Sequence, residues 1–188
     1  MFENLKLKLA RFIVSKKYLK KNLEPIVFNN VITQAVYFLV ILPENEKEFH
    51  HSLELLRFLN IHRKSITIFL PEHKYNLVPE KEKYKLIAFD PLHKSRLNLP
   101  APMLINSLHD KTFDVVIDLN RRENIFFSAV ANIVHSKLRI GFNKENSGIY
   151  YNFLLSDTQN NPEVAYRNLL NFLQMFWKLL VLINRSNS

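Results

Sequence analysis

Residues 113–142, FDVVIDLNRRENIFFSAVANIVHSKLRIGF, constrain the fold more than any other stretch of the chain. Residues 114–119 are short, β-branched and almost wholly apolar, the composition of a central parallel strand covered on both faces. Residues 121–135 place apolar side chains at Ile125, Phe126, Ala129, Val130, Ile133 and Val134, a helical spacing with one oily face. Residues 138–142, Leu-Arg-Ile-Gly-Phe, then return as a strand. The segment predicts two parallel strands joined by a crossover helix.

The same alternation runs through the rest of the chain. Residues 35–42 form a buried apolar run ended by Pro43. Residues 44–60 read as a helix with Phe49, Leu53, Leu56 and Leu59 inward and acids in its first turn, where the helix dipole favours them. A second strand over 65–70 is closed by Pro71, a weaker one lies at 85–90, and a short helix over 100–108 starts at Pro100 or Pro102. A last helix begins at Pro162 and reaches about Ile183. Repeated strand–helix units predict an α/β, Rossmann-like open parallel sheet of at least five strands, with helices on both faces. Residues 36–42 and 115–119 should be its central strands.

Several chemistries are excluded by what is missing. The 188 residues hold no cysteine, so disulfides and thiolate metal sites are impossible. Two glycines cannot supply G-x-G-x-x-G or a Walker A loop, and no nucleotide cofactor is expected to bind through such a loop. The seven histidines show no ligand spacing, and no serine sits in a G-x-S-x-G elbow, so neither a metal nor hydrolase chemistry is expected. The last helix is interrupted by Asn171, Gln174 and Lys178 and is too short to span a bilayer. A buried helix fits it better, although Trp177 and residues 179–183 leave more apolar surface than a chain end requires.

Charge is concentrated at the start of the chain. Of a net charge of +9, residues 1–21 supply seven basic side chains against Glu3 alone, while the remainder carries 19 basic and 16 acidic residues. The excess thus belongs to an N-terminal arm, residues 1–24, rather than to a nucleic-acid-binding face. On a helical wheel Phe2, Leu5, Leu9, Phe12, Ile13 and Leu19 share one side, with Lys6, Lys8, Arg11 and Lys17 flanking or opposing it. Charges interrupt the arm throughout, so it is not a signal peptide. Two readings remain: a membrane-surface anchor with lysines on anionic lipid, or a helix packed on its own domain with solvated lysines.

In open parallel sheets ligands bind beyond the carboxyl ends of the strands, here after Leu42, Leu70, Asp90, Leu119 and Phe142. The 113–142 segment resembles the FD-hydrophobic-IDL … RIGF core of the family 9 glycosyltransferases, the heptosyltransferase-like enzymes of lipopolysaccharide inner-core synthesis. The order of elements is similar over roughly residues 34–175, and the detail only over 113–142. The resemblance implies half of a two-domain GT-B fold: residues 25–188 as the acceptor-side domain, with the donor-binding C-terminal domain absent. It further implies a lipid-linked or anionic glycan acceptor and a separate nucleotide-sugar-binding half. The expected place is the cytoplasm, at the inner face of the cytoplasmic membrane, with no sugar transfer by the chain alone.

That family usually carries Gly-Asp after its first strand, the Asp being its proposed general base. Here Pro43-Glu44-Asn45-Glu46 stands instead. Glu44 or Glu46 is a stand-in base, or simply an acid favoured at a helix start. Asp118, Asn120, Arg121 and Arg122 would face the acceptor, the arginines gripping phosphate or carboxylate. Alternatively Asp118 or Asn120 caps the next helix and the arginines are solvated. The competing function is a non-catalytic binding or membrane-associated module of the same fold.

Overall fold

The computed structural model describes residues 2–19, 28–156 and 161–186, with side chains from 3–19, 31–156 and 161–176. Its regular elements are α1 (Phe2–Lys17), α2 (Phe28–Gln34), β1 (Tyr37–Ile41), α3 (Glu46–Ile61), β2 (Ser65–Pro71), β3 (Lys85–Phe89), α4 (Pro102–Leu108), β4 (Thr112–Asp118), α5 (Ile125–Ile133), β5 (His135–Phe142), β6 (Phe153–Leu155) and α6 (Pro162–Ser186). The strands form a single open sheet in the order β3-β2-β1-β4-β5-β6, and every pairing is parallel. This is the Rossmann-like α/β architecture, and it places the topological switch point between β1 and β4.

Both faces of the sheet are covered, as continuous apolar strands require. The pleat sends Phe38, Val40 and Leu42 into one core with residues of α2, α3 and α6. Leu39 and Ile41 enter the other core, with residues of α1, α4 and α5. Within it Phe69, Phe89, Phe126 and Phe127 pack as an aromatic cluster, Phe69 stacked on Phe89 with ring centroids 4.8 Å apart.

The distinctive residues of the 113–142 segment hold this sheet together. The Asp114 carboxylate accepts from the backbone N–H of Val36 and Tyr37 at 2.8 and 2.9 Å, fixing the start of β1. Arg139 is buried, and its guanidinium donates to the carbonyls of Ala131 (2.7 Å), Val134 (3.0 Å) and Ser136 (3.1 Å). It thereby satisfies acceptors left open at the end of α5. Gly141 lets Tyr151 approach: an added Cβ would lie 2.9 Å from the tyrosine ring.

Four differences from the sequence reading have physical causes. Helix α5 begins at Ile125, not residue 121, because Asn124 is its N-cap and accepts from the Phe126 N–H at 3.0 Å. It is also buried on every side rather than along one stripe, since α1 and α4 cover the flank turned from the sheet. Residues 135–137, expected as helix end and turn, already belong to β5. The three-residue β6 and the seven-residue α2 were too short to carry a periodicity.

Helix α1 is packed against the domain. Ala10 and Val14 are fully buried, with Leu7, Ile13, Tyr18 and Leu19 partly so. Leu5, Leu9 and Phe12, by contrast, are exposed. Phe2, Lys20, Lys21, Trp177 and residues 179–183 lie outside the described side chains. Among the described residues no helix is long and apolar enough to cross a membrane.

Candidate functional site

The carboxyl end of the sheet gathers charged side chains from five successive strand ends. Asp118, the last residue of β4, is buried at the switch point. Its carboxylate accepts from the Lys144 ammonium at 2.7 Å, from the Tyr151 hydroxyl, and from the backbone and side-chain N–H of Asn120 at 3.0 and 2.8 Å. Lys144 also donates to the Asn120 carbonyl at 2.8 Å. Burial, and then the charge of Asp118, push the Tyr151 hydroxyl well above its ordinary pKa, so it stays a proton donor. A buried ion pair of this kind is sustained by the hydrogen bonds that satisfy its remaining lone pairs.

A second cluster adjoins it at the end of β1. Glu44 places one carboxylate oxygen 2.6 Å from Lys94 and the other 3.5 Å from the Asn124 amide. Its backbone N–H donates to the Asn120 side chain at 3.4 Å, linking the two clusters, and its carbonyl accepts from the buried Lys74. The Lys94 ammonium lies 4.8 to 5.8 Å from the ring centroids of Phe89, Phe126 and Phe127, a cation–π arrangement. Burial lowers the pKa of Lys74, opposed by Glu46 and Glu44.

The predicted residues therefore separate. Asp118, Asn120 and Glu44 come together at the switch point. Arg121 turns to Glu48 at 3.7 Å, both side chains nearly enclosed. Glu46 and Arg122 are exposed. The N-cap expected of Asp118 or Asn120 is supplied by Asn124, because the loop after β4 runs on to residue 124 before the helix starts. Glu44 precedes the Asn45 N-cap of α3, so dipole stabilisation in the first turn falls to Glu46 and Glu48. Arg11, expected among the membrane-facing cations, instead chelates Glu123 at 2.8 and 2.9 Å and reaches Glu145 at 3.5 Å. Beside that pair the Tyr150 hydroxyl is buried with no hydrogen-bond partner among the described residues.

Sequence reasoning missed Lys74, Lys94, Lys144 and Tyr151. Nothing in a chain with 26 basic residues distinguishes three lysines whose partners are 26 to 50 positions away. Among the described residues no group of histidines and carboxylates could hold a metal ion.

The match of a family model to residues 11–176 decides the relationship. The chain belongs to DUF6913, a family of unknown function. No curated protein matches it. The DUF6913 match takes in all six strands and both clusters, so the carboxyl-end network lies wholly inside the family's domain. Away from that end, the flank of α3 carries an open concavity of about 420 Å³ lined by His50, Leu53, Glu54, Arg57, Pro79 and Tyr84, among others. None of these joins the two clusters.

Proposed function

We propose that this chain is a heptosyltransferase-like acceptor-side module that binds an anionic ligand at the carboxyl end of its sheet and transfers no sugar by itself. One observation supports the reading: Glu44, the candidate base beside the switch point, is engaged by Lys94 and Asn124. An inverting transfer needs a carboxylate within hydrogen-bond reach of the acceptor hydroxyl. Glu44 has one oxygen on Lys94 and the other turned to Asn124, and Glu46, the first residue of α3, is exposed. Asp118 is sealed by Lys144, Tyr151 and Asn120.

An exposed cation supports an anion. Lys74, Lys94, Lys144 and Arg121 are matched by Glu44, Glu46, Glu48 and Asp118, and Arg11 by Glu123 and Glu145, while Arg122 is exposed at the rim. A phosphate or carboxylate group on a glycan suits that arginine. The crevice outside the switch point is where a sheet of this order accepts ligands.

Purified chain incubated with an ADP- or UDP-sugar and a phosphorylated glycan should release no nucleoside diphosphate above the buffer rate. Titration with inorganic pyrophosphate, followed by amide NMR, should shift resonances at the ends of β1, β4 and β5. Robust turnover would overturn the non-transferring part of the reading, and an unchanged spectrum would overturn the anion site.

A further inference from the structure

Helix α1 has two opposed faces, and among the described residues only one of them packs on the domain. At about 100° per residue, Ala10, Val14, Leu7 and Tyr18 lie on the side that meets α5 and the aromatic core. Leu5, Leu9 and Phe12 lie on the opposite side, with relative exposures of 66, 49 and 59%. Their spacing of four and three residues makes one continuous stripe along the helix. Lys8 flanks it on one side, Lys6 and Lys17 on the other, and all three are exposed. Lys16 continues the stripe, with its ammonium 5.9 Å from the Phe12 ring centroid. The sole acid of the helix, Glu3, pairs with Lys6 at 2.8 Å.

We propose that this outer face is a docking surface for an anionic lipid bilayer, which goes beyond the binding reading above and stands without it. Three observations converge on lipid. Three large apolar side chains in a row are exposed among the described residues, whereas scattered exposed hydrophobics would not line up. The lysines beside them complement an anionic surface, which a purely apolar partner would not require. A helix of 16 residues is about 24 Å long, too short to cross a bilayer core but suited to lie in its interface.

The docking also orients the domain. Arg11 sits in the same helix and chelates Glu123, in the loop after β4, while reaching Glu145 in the loop after β5. Those loops lead out of the strand ends that carry Asp118, Asn120 and Lys144. A bilayer on the outer face of α1 therefore lies about one helix diameter, roughly 10 Å, from the loop residues Glu123 and Glu145 that Arg11 holds. The partner is a membrane surface, and the loops after β4 and β5 are held on the helix that meets it.

The test uses the full chain and vesicles of phosphatidylcholine with or without phosphatidylglycerol. The protein should co-sediment with the phosphatidylglycerol vesicles at low salt and release as salt is raised. Leu5→Ser/Phe12→Ser should weaken binding about tenfold or more. Lys8→Glu/Lys16→Glu should weaken it by about fivefold per lysine or more. Ile61→Ser, an equally exposed apolar residue at the end of α3, should bind as the parent does. Circular dichroism should show all variants folded, because none of these side chains is buried. Equal sedimentation of the stripe variant and the parent would overturn the proposal. So would a parent dimer, broken by Leu5→Ser/Phe12→Ser, that ignores both vesicles: the stripe would then be covered by a second copy of the chain.

Discussion

The carboxyl end of the sheet and the outer face of α1 carry similar ingredients and resolve them oppositely. At the sheet end, Asp118, Lys144, Tyr151 and Asn120 are enclosed and satisfy one another, and Glu44 is held by Lys94. On α1 the apolar stripe and its lysines face solvent, with only local contacts from Lys6 to Glu3 and from Lys16 to Phe12 among the described residues. A buried charge without a partner is costly, so the fold had to complete the first network whatever ligand it meets. An exposed Leu–Leu–Phe stripe carries no such requirement, and its free energy of burial is still available to a partner. Charged clusters at strand ends are therefore weaker evidence of chemistry in this protein than an uncovered apolar face is of association.

The strongest way to break that contrast is Lys144→Met. It leaves the Asp118 carboxylate, fully enclosed, without its cation, and urea unfolding should show a loss of about 3–5 kcal/mol. Adding Asp118→Asn should recover part of the loss by removing the charge itself. A Lys144→Met chain as stable as the parent would mean that the cluster is hydrated and open, with the character of a ligand site.

Tyr151→Phe is next, at about 1–3 kcal/mol for a buried acceptor losing one donor. It carries a pH signature. Burial and Asp118 raise the folded-state pKa above the ordinary 10.0, so the folded chain keeps a proton that the unfolded chain gives up. This contribution is fully present below pH 10 and is lost as pH rises through the higher folded value. The urea midpoint of the parent should fall on that alkaline side, and Tyr151→Phe should remove this part of the slope.

Gly141→Ala forces a methyl to 2.9 Å from the same ring and should cost about 1–3 kcal/mol by overpacking. Its effect tells whether Tyr151 is held as rigidly as its hydrogen bonds imply. The smallest effect belongs to the other region. Leu9→Ser and Phe12→Ser should change the unfolding free energy by no more than about 0.5 kcal/mol, because the fold makes no use of that face. A larger loss would show that the stripe is covered in solution by the protein itself.

Four strands were legible because residues 37–41, 65–71, 112–118 and 138–142 are rich in apolar β-formers, and a fifth at 85–89 was legible more weakly. The site was legible only in part. Asp118 and Asn120 could be placed at a strand end by counting along β4, and Glu44 by the stop at Pro43. That Asp118 would be tied down, and by Lys144 and Tyr151, could not, since the pairing depends on β5 lying beside β4 and on the loop after it turning back. The FD and RIGF residues that carry the resemblance prove to be holders of the fold. Asp114 pins β1, Arg139 closes α5, and Gly141 makes room for Tyr151. A likeness in such residues reports architecture before activity.

By itself the sequence determined the α/β class, the parallel sheet, its two central strands and the basic, amphipathic character of the first helix, because period and composition are local properties. Only the tertiary structure decided which side of that helix is buried. Ala10 and Val14 are too small to dominate a helical wheel, yet they are the fully buried residues of α1, which packs on α5. Leu5, Leu9 and Phe12 look like the core-facing side, but they are left outside. Hydrophobicity sets which residues gain from burial, and close packing between elements distant in sequence chooses which of them obtain it.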